Sequence, residues 1–278
     1  MTDFTLLLPV YRGNSPEEFR EAFESSVHRQ TRRPDAVVVT VDGAVPQALD
    51  ATLAELAGSS PVPTLLVRLP ENRGLAAALN AGLAEITTEY VARMDADDVC
   101  LPERFERQLA EIEARDLDLL GTGLAEFAAS TGTVVATRTP PVGDAIRRRA
   151  PWAQPFHHPT IVFRRSAVLD VGGYPSDAGR IEDYVLVARL LAAGIRADNI
   201  PEPLLYYRVD SGAYHRRGGW RMLRDELRLQ RELRRIGLTN PLQYARNVVL
   251  RGGYRLVPTW LRSRAYRLAA TESARPAR

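Results

Sequence analysis

The sequence has no lysine, a single cysteine and no long apolar run. Because all 37 basic residues are arginine, an arginine at a given position says little about a need for its bidentate geometry. The single Cys100 excludes an internal disulfide and a cysteine-based metal site. No stretch approaches the roughly 20 apolar residues of a spanning helix, and no basic segment precedes an apolar one at the start. We therefore expect a cytoplasmic protein.

Two glycine-rich phosphate-binding motifs are also absent. Neither G-x-G-x-x-G nor G-x-x-x-x-G-K-[ST] occurs in the sequence. These loops bind phosphates in dinucleotide enzymes and P-loop NTPases, so their absence argues against both classes.

The first half of the chain alternates short apolar runs with amphipathic segments. This pattern predicts an α/β fold, with a Rossmann-like, mainly parallel sheet flanked by helices. We expect residues 1–215 to form one domain, followed by a basic helical extension over 216–278 whose first helix spans 219–236. The predicted strands are 4–9, 36–42, 64–69, 90–95, 117–124, 132–139, 159–165, 196–200 and 203–209.

Polar residues follow the first four predicted strands at their carboxyl ends. The ligand crevice of an open α/β sheet lies outside these ends, so we expect the residues to converge on one cleft. They are Pro9 and Tyr11 after the first strand, Asp42 after the second, Arg73 after the third, and Asp95, Asp97 and Asp98 after the fourth.

The acidic triplet in VARMDADDVC has two interpretations. It is a solvated loop whose Asp98 caps the helix that starts near Pro102. Alternatively, Asp95 and Asp97 hold a hard divalent ion such as Mg²⁺, which relieves their mutual repulsion.

The segments around Asp42 and Gly74 are equally open to two interpretations. Asp42 either forms a turn beside Gly43 or accepts hydrogen bonds from a base or ribose. Gly74 opens a predicted helix, where free backbone N–H groups favour an anion.

Six stretches of the sequence together resemble one protein family. In order they are LLLPVYRG, VVTVDGA, ENRGLAAALNAGL, VARMDADDVCLPERFERQ, HHPTIVFRRSAVLDVGGYP and EDYVLVARLLAAG. In order and spacing they are similar to family 2 glycosyltransferases of the GT-A fold, and most similar to bacterial exopolysaccharide and lipopolysaccharide enzymes of the amylovoran-biosynthesis type. The resemblance covers about residues 1–215, whereas DAD alone would be weak evidence.

The resemblance implies a nucleotide-sugar site at the predicted cleft. Asp42 would contact the base, Asp95 the ribose, and Asp97 the Mn²⁺ or Mg²⁺ that bridges the diphosphate. His215 would be a third metal ligand or a phosphate contact. The other implied donor contacts are Pro9 and Tyr11 beside the uracil, and Arg73.

The resemblance also implies an acceptor side. Asp183 would be the general base, with Glu182 next to it. A carboxylate at this place would also interact favourably with a helix N-terminus. His158 would lie near the sugar and the acceptor, or it is a buried histidine bonded to a backbone carbonyl.

The implied function is inverting, metal-dependent transfer of a sugar from a nucleotide-sugar, UDP-sugars first, to a saccharide or lipid-linked saccharide in cell-surface polysaccharide synthesis. Two alternatives stay open. A sugar-1-phosphate nucleotidyltransferase should carry a G-x-G-T-R-type loop where this chain reads PVYRGNSPEEF. A catalytically silent nucleotide-sugar-binding module would typically lack the carboxylates of Asp95, Asp97 and Asp183, which are all present.

The charge of the chain is unevenly distributed. Residues 216–278 carry a net charge of +12 and residues 1–215 carry −9. A solvated helix face, nucleic acid and an anionic membrane surface are three interpretations of the basic extension. Trp220, Tyr254 and Trp260 lie on or near the apolar side of its segments, as in interfacial helices. Because related enzymes often use lipid-linked acceptors, we expect peripheral contact with the inner face of the cell membrane and no nucleic-acid partner.

Overall fold

The structure is a computed structural model and describes residues 2–128, 132–209 and 220–253. The chain forms two compact units, residues 1–210 and 211–278. The assignment of catalysis to the first unit and of membrane contact to the second remains a prediction. Within the described ranges, no helix has the length and apolar character that a membrane span requires.

The first four strands are parallel, and all four were predicted. The elements of this half are β1 (Phe4–Tyr11), α1 (Pro16–Phe23), β2 (Ala36–Asp42), α2 (Gln47–Ser59), β3 (Thr64–Leu69), α3 (Leu75–Glu85) and β4 (Tyr90–Arg93). The strand order is β3-β2-β1-β4. Apolar strands of this kind suit a sheet covered on both faces, and Phe4, Leu6 and Leu8 of β1 are fully buried.

The second half of this unit has a mixed sheet. Its elements are β5 (Val99–Cys100), α4 (Arg104–Arg115), β6 (Leu119–Ala128), β7 (Val134–Arg138), α5 (Asp144–Arg149), β8 (Val162–Arg164), α6 (Arg165–Asp170), α7 (Glu182–Ala192) and β9 (Ala197–Val209). The strand β8 runs antiparallel to both β4 and β6, and β9 runs parallel to β6. The α/β fold class is confirmed.

Two predicted boundaries in this half are wrong. The predicted strands 196–200 and 203–209 are one strand, β9, because its register against β6 shifts around Gly123 and accommodates Pro201 and Pro203. The predicted strand 159–165 is shorter, since His158–Thr160 form one helical turn and α6 already begins at Arg165.

The topology brings several strand ends to one edge. In the sheet, β1 lies between β2 and β4, so the connections leave β1 in opposite directions there. Such a reversal opens a crevice at the carboxyl ends of the strands. The predicted polar residues therefore come from neighbouring strands at the same edge.

The second unit is helical where it is described. It contains α8 (Trp220–Arg235), close to the predicted 219–236, and α9 (Pro241–Asn247), followed by a wide helical turn at Val248–Gly252. Asn240 and Gln243 form a reciprocal capping box at the start of α9. The buried Glu226 of α8 pairs with Arg251 at 2.6 Å, which ties the helical segments together.

Gly82 tests the close packing of α3 on the parallel strands. A Cβ at this position would lie 2.4 Å from Leu7 Cδ1 and 2.7 Å from Thr40 Cγ2. Gly82→Ala is therefore expected to lower the free energy of unfolding by about 1–3 kcal/mol, as measured by urea denaturation. Gly58 of α2 is the control, because its Cβ would meet no atom within 4 Å. Gly58→Ala should be neutral or stabilising, and equal effects of the two variants would contradict the packing argument.

Candidate active site

Tyr11 and Asp42 lie side by side at the carboxyl edge of the sheet. They are register partners at the ends of β1 and β2. Pro9, two residues earlier, is buried, whereas 49% of Tyr11 is exposed. The ring of Tyr11 covers Gly13 so closely that a Cβ there would lie 2.5 Å from it. The structure thus presents an exposed aromatic ring beside a buried carboxylate.

The carboxylate of Asp42 fixes the loop that opens α3. The backbone N–H groups of Arg73 and Gly74 donate to Asp42 Oδ1 and Oδ2 at 2.7 and 2.9 Å. The side-chain amide of Asn72 donates to the Asp42 carbonyl at 3.2 Å. An anion already lies at this helix start, and it belongs to the chain itself. Asp42 is therefore more than a turn former, while the exposed Arg73 lies at the same loop.

The three carboxylates after β4 converge. Ligand oxygens of Asp95, Asp97 and Asp98 all lie within 4.8 Å of one another. Asp95 pairs with the buried Arg93. The predicted capping role of Asp98 is wrong, because Asp98 accepts the backbone N–H of Arg208 in β9 at 3.0 Å. The helix α4 begins only at Arg104, without a side-chain cap.

The electrostatics of this cluster favour a bound cation. Burial, together with Asp95 and Glu18, raises the pKa of Asp97 to about 6. Burial and the neighbouring Asp95 and Asp97 raise the pKa of Asp98 well above its usual value. Asp98 Oδ2 is buried and has no hydrogen-bond partner among the described residues. Converging carboxylate oxygens with an unused acceptor fit Mg²⁺ or Mn²⁺, which bind oxygen ligands.

Arg208 of β9 anchors the loop that carries Asp95, Asp97 and Asp98. Its Nε donates to the carbonyl of Asp97 at 2.7 Å, and its Nη2 donates to Glu21 of α1 at 2.7 Å. The guanidinium also stacks 4.6 Å from the ring centroid of Phe127. These contacts join the loop to α1 and β9, so the position of the carboxylates is set by three parts of the chain.

Glu182 and Asp183 are the first two residues of α7. Asp183 accepts the N–H of Tyr184 at 2.7 Å and the side-chain amide of Gln154 at 3.5 Å. Burial raises the pKa of Asp183, and these two donors together with Arg93 counteract it. Burial and the adjacent Asp183 raise the pKa of Glu182 to about 7. A partly buried carboxylate with a raised pKa is suited to accept a proton near neutral pH, and Asp183 also makes the expected contact with a helix start.

His158 lies in a buried polar pair. Its Nε2 is 3.0 Å from the hydroxyl of Tyr174, so the described partner of this nitrogen is a hydroxyl and not a backbone carbonyl. Burial and the charge of Arg93 hold the pKa of His158 well below its usual value, which leaves the ring neutral. Asn80 of α3 clamps Tyr174 through both backbone groups, at 2.7 and 2.9 Å.

The carboxylates after β4 and those at the start of α7 influence one another electrostatically. The charge of Asp95 contributes to the raised pKa of Glu182, and the charge of Asp183 contributes to that of Tyr174. His215 lies outside the described residues, so its predicted role remains a prediction. Sequence reasoning missed Arg93, although a charge inside the apolar strand YVAR was a visible signal.

Comparisons with known proteins agree on one family. The sequence profile described as Glycosyl transferase family 2 matches residues 5–172. A Haemophilus influenzae protein named uncharacterized glycosyltransferase is 38% identical, over 95% of this chain and 97% of its own. The Erwinia amylovora amylovoran biosynthesis glycosyltransferase AmsE is 36% identical, over 82% and 84%. The Escherichia coli UDP-Gal:alpha-D-GlcNAc-diphosphoundecaprenol beta-1,3-galactosyltransferase is 29% identical, over 95% of each chain.

Solved structures share the fold. TarS 1–349 from S. aureus, in complex with UDP-GlcNAc, superposes with a TM-score of 0.67 over 89% of this chain and 71% of its own, at 17% identity. The Pyrobaculum calidifontis mannosyltransferase PcManGT, in complex with GDP-Man and Mn²⁺, gives 0.64 over 99% and 76%, at 22% identity. At these identities, the two similarities show a shared fold.

The raised pKa of Glu182 should make the free energy of unfolding depend on pH. Its pKa of about 7 in the folded protein exceeds the value of 4.5 expected for a solvated glutamate. The folded protein therefore binds this proton more tightly than the unfolded chain, so stability is lost as pH rises toward 7. Glu182→Gln should raise the free energy of unfolding by about 2–3 kcal/mol at pH 8 and by little at pH 4. Urea denaturation at both pH values measures this difference.

The matched control for Glu182 is Glu106→Gln, on the exposed face of α4. It should change stability little at either pH. If Glu182→Gln gave the same gain at pH 4 and pH 8, the raised pKa of Glu182 would be wrong.

Proposed function

The chain belongs to glycosyltransferase family 2, and from this premise we propose that it transfers a sugar from a UDP-sugar to a saccharide or lipid-linked saccharide, with inversion at the anomeric carbon, in polysaccharide synthesis. The observation that carries the proposal is the convergence of Asp95, Asp97 and Asp98 within 4.8 Å at the carboxyl edge of the sheet. Glu182, which precedes Asp183, lies near enough for the charge of Asp95 to raise its pKa.

On the donor side, we assign the nucleotide to the edge formed by β1 and β2. The exposed ring of Tyr11 and the buried Pro9 would border the uracil. Asp42 would accept from the base through lone pairs that its bonds to Arg73 and Gly74 leave free. Asp95 would contact the ribose, and Arg73 would contact the nucleotide-sugar. The support is the adjacency of these residues at one edge.

For the metal, we assign Asp97 as a ligand within the acidic cluster. A bound Mn²⁺ or Mg²⁺ would neutralise the negative charge that develops on the leaving diphosphate. The unused acceptor on Asp98 and the raised pKa values of Asp97 and Asp98 support a cation there. Without a cation, close carboxylates in a partly buried site repel one another. His215, if it reaches this cluster, would add a further ligand.

On the acceptor side, Asp183 would be the general base and Glu182 and His158 would border the sugar or the acceptor. The acceptor hydroxyl would lose its proton to Asp183 while its oxygen forms a bond to the sugar C1. The bond from C1 to the phosphate oxygen would break, and its electron pair would leave with the nucleoside diphosphate. Attack opposite the leaving group inverts C1. The neutral His158 would take part only in hydrogen bonding.

The second unit supports a membrane-bound or lipid-linked acceptor. In α9 and the turn after it, Leu242, Val249 and Leu250 are 79%, 69% and 55% exposed. Val249 and Leu250 follow Leu242 by seven and eight residues, about two helical turns, which places the three side chains on one face. Arg246 lies on the same exposed face. An apolar stripe within a segment of net charge +12 suits an anionic lipid surface. We infer contact with the inner membrane face. The similarity to a galactosyltransferase whose name includes alpha-D-GlcNAc-diphosphoundecaprenol agrees with such an acceptor.

A thermal-shift screen of UDP-, GDP- and dTDP-sugars, with and without Mn²⁺, tests the donor assignment. We expect a UDP-sugar to raise the melting temperature most, and only with the metal present, because the cation completes the diphosphate site. Asp97→Asn should lose this metal-dependent gain. Asp183→Asn should keep it while transfer falls by about 10²–10⁴-fold, measured as UDP release.

The control is Asp144→Asn on the exposed start of α5, which should behave as wild type. The proposed function would be refuted if no nucleotide-sugar stabilised the protein with any metal. Near-normal transfer by Asp183→Asn would refute only the base assignment.

Co-sedimentation with liposomes tests the membrane contact. Full-length protein should pellet with phosphatidylglycerol vesicles at low salt and remain in solution with phosphatidylcholine vesicles. Replacing Leu242, Val249 and Leu250 with alanine should weaken binding at least about tenfold, because each side chain buries apolar area in the interface.

The matched control is Leu65→Ala with Val135→Ala, two exposed apolar residues of the first unit. It should bind vesicles as wild type does. A wild-type protein that stays in the supernatant with anionic vesicles would exclude this membrane contact.

A further inference from the structure

Arg93 is a buried charge at the end of β4. Its side chain is 1% exposed, and it follows the buried Val91 and Ala92 and precedes the buried Met94. Removing a guanidinium from water costs several kcal/mol unless neighbouring groups compensate. Burial of the guanidinium is therefore unfavourable at this position, and the contacts of Arg93 indicate its role.

The backbone and one side-chain nitrogen of Arg93 have hydrogen-bond partners, whereas the other two side-chain nitrogens have none among the described residues. Its backbone N–H donates to Ile161 at 2.9 Å, and its carbonyl accepts from Arg104 Nη2 at 2.8 Å. The side-chain Nη2 donates to Asp95 Oδ1. Nε and Nη1 are buried and have no hydrogen-bond partner among the described residues. One edge of the guanidinium thus holds Asp95, and the rest acts through its charge.

That charge acts on carboxylates from two separate parts of the chain. In the loop after β4, Arg93 pairs directly with the carboxylate of Asp95. At the start of α7, burial raises the pKa values of Glu182 and Asp183, and the charge of Arg93 opposes this effect. Arg93 is therefore a shared counter-charge for the donor side and the acceptor side.

Stability alone is a weak reason for such a residue. Replacing a buried ion pair by apolar residues of similar volume is often neutral or stabilising. Arg104, the other fully buried arginine nearby, bonds instead to Gln108 Oε1 and to the carbonyl of Arg93. It supports the backbone of β4, whereas Arg93 faces the carboxylates of the cleft.

We propose that Arg93 is a positioning residue for sugar transfer, whose buried guanidinium holds Asp95 and places a fixed positive charge near the Glu182–Asp183 pair. The inference rests on the proposed function, because it assigns those carboxylates to donor binding and proton transfer. Since the guanidinium is covered, Arg93 acts through the carboxylates and does not itself contact the substrate.

Removing the charge of Arg93 tests this role. Arg93→Met and Arg93→Gln should fold and should lower kcat about 100-fold, because a small misplacement of reacting groups has an effect of this size. The acid limb of the kcat profile should also move to higher pH, since the lost positive charge favoured the ionised form of Asp183. The other groups that face Asp183 are Glu182, Gln154, Tyr184 and Tyr174, and all are unchanged.

Two further variants separate positioning from structure. Arg93→Lys keeps the charge, so the acid limb should stay at its wild-type pH and kcat should recover in part. Arg164→Met is the matched control, because Arg164 lies opposite Tyr90 at the other end of β4 and pairs with Asp116 and Asp118. It should lower the melting temperature and leave kcat and its pH profile unchanged.

The inference would be overturned by a folded Arg93→Met or Arg93→Gln with wild-type kcat and an unmoved acid limb. Failure of both neutral variants to fold would overturn it too, since Arg93 would then be required for the fold. These results differ from failure of the proposed function, in which the wild-type protein itself shows neither donor-dependent stabilisation nor transfer.

Discussion

The crowding of carboxylates in a partly buried cleft is the constraint on which the rest of the structure depends. Asp95, Asp97 and Asp98 converge within 4.8 Å, and Glu182 lies near enough to be affected by Asp95. Burial and repulsion both favour the protonated forms. The fold opposes this with fixed donors: Arg93 beside Asp95, and the N–H of Arg208 beside Asp98. The remaining imbalance is what a divalent cation would remove.

The strands and the location of the cleft could be predicted because they depend on local patterns. Apolar runs of six or seven residues with helical segments between them specify the parallel strands, and the carboxyl ends of such strands meet at one edge. The placement of Tyr11 beside Asp42 follows from that rule, and the register of β1 and β2 bears it out.

The errors and omissions concern contacts between distant parts of the chain. Asp98 was expected to cap the next helix, yet its partner is the N–H of Arg208, 110 residues away. The single strand β9 passes two prolines because its register against β6 shifts, which no local pattern reveals. Arg93 is a charged residue in an apolar strand, but its meaning depends on carboxylates from α7. The spacing of residues in the sequence does not reveal tertiary contacts of this kind.

The helix α3 shows why the two sides of the cleft keep one geometry. It begins at the loop held by Asp42, and five residues after its first residue its Asn80 clamps Tyr174, which bonds to His158. Gly82 lets the same helix lie against the side chains of β1 and β2 with no room for a methyl group. A helix packed this closely cannot shift without disturbing both loops, because protein interiors behave like close-packed solids. The loop held by Asp42 and the segment that carries Tyr174 are therefore positioned by one rigid element. In the proposed transfer, groups positioned in advance would need little reorganisation when charge develops on the leaving diphosphate.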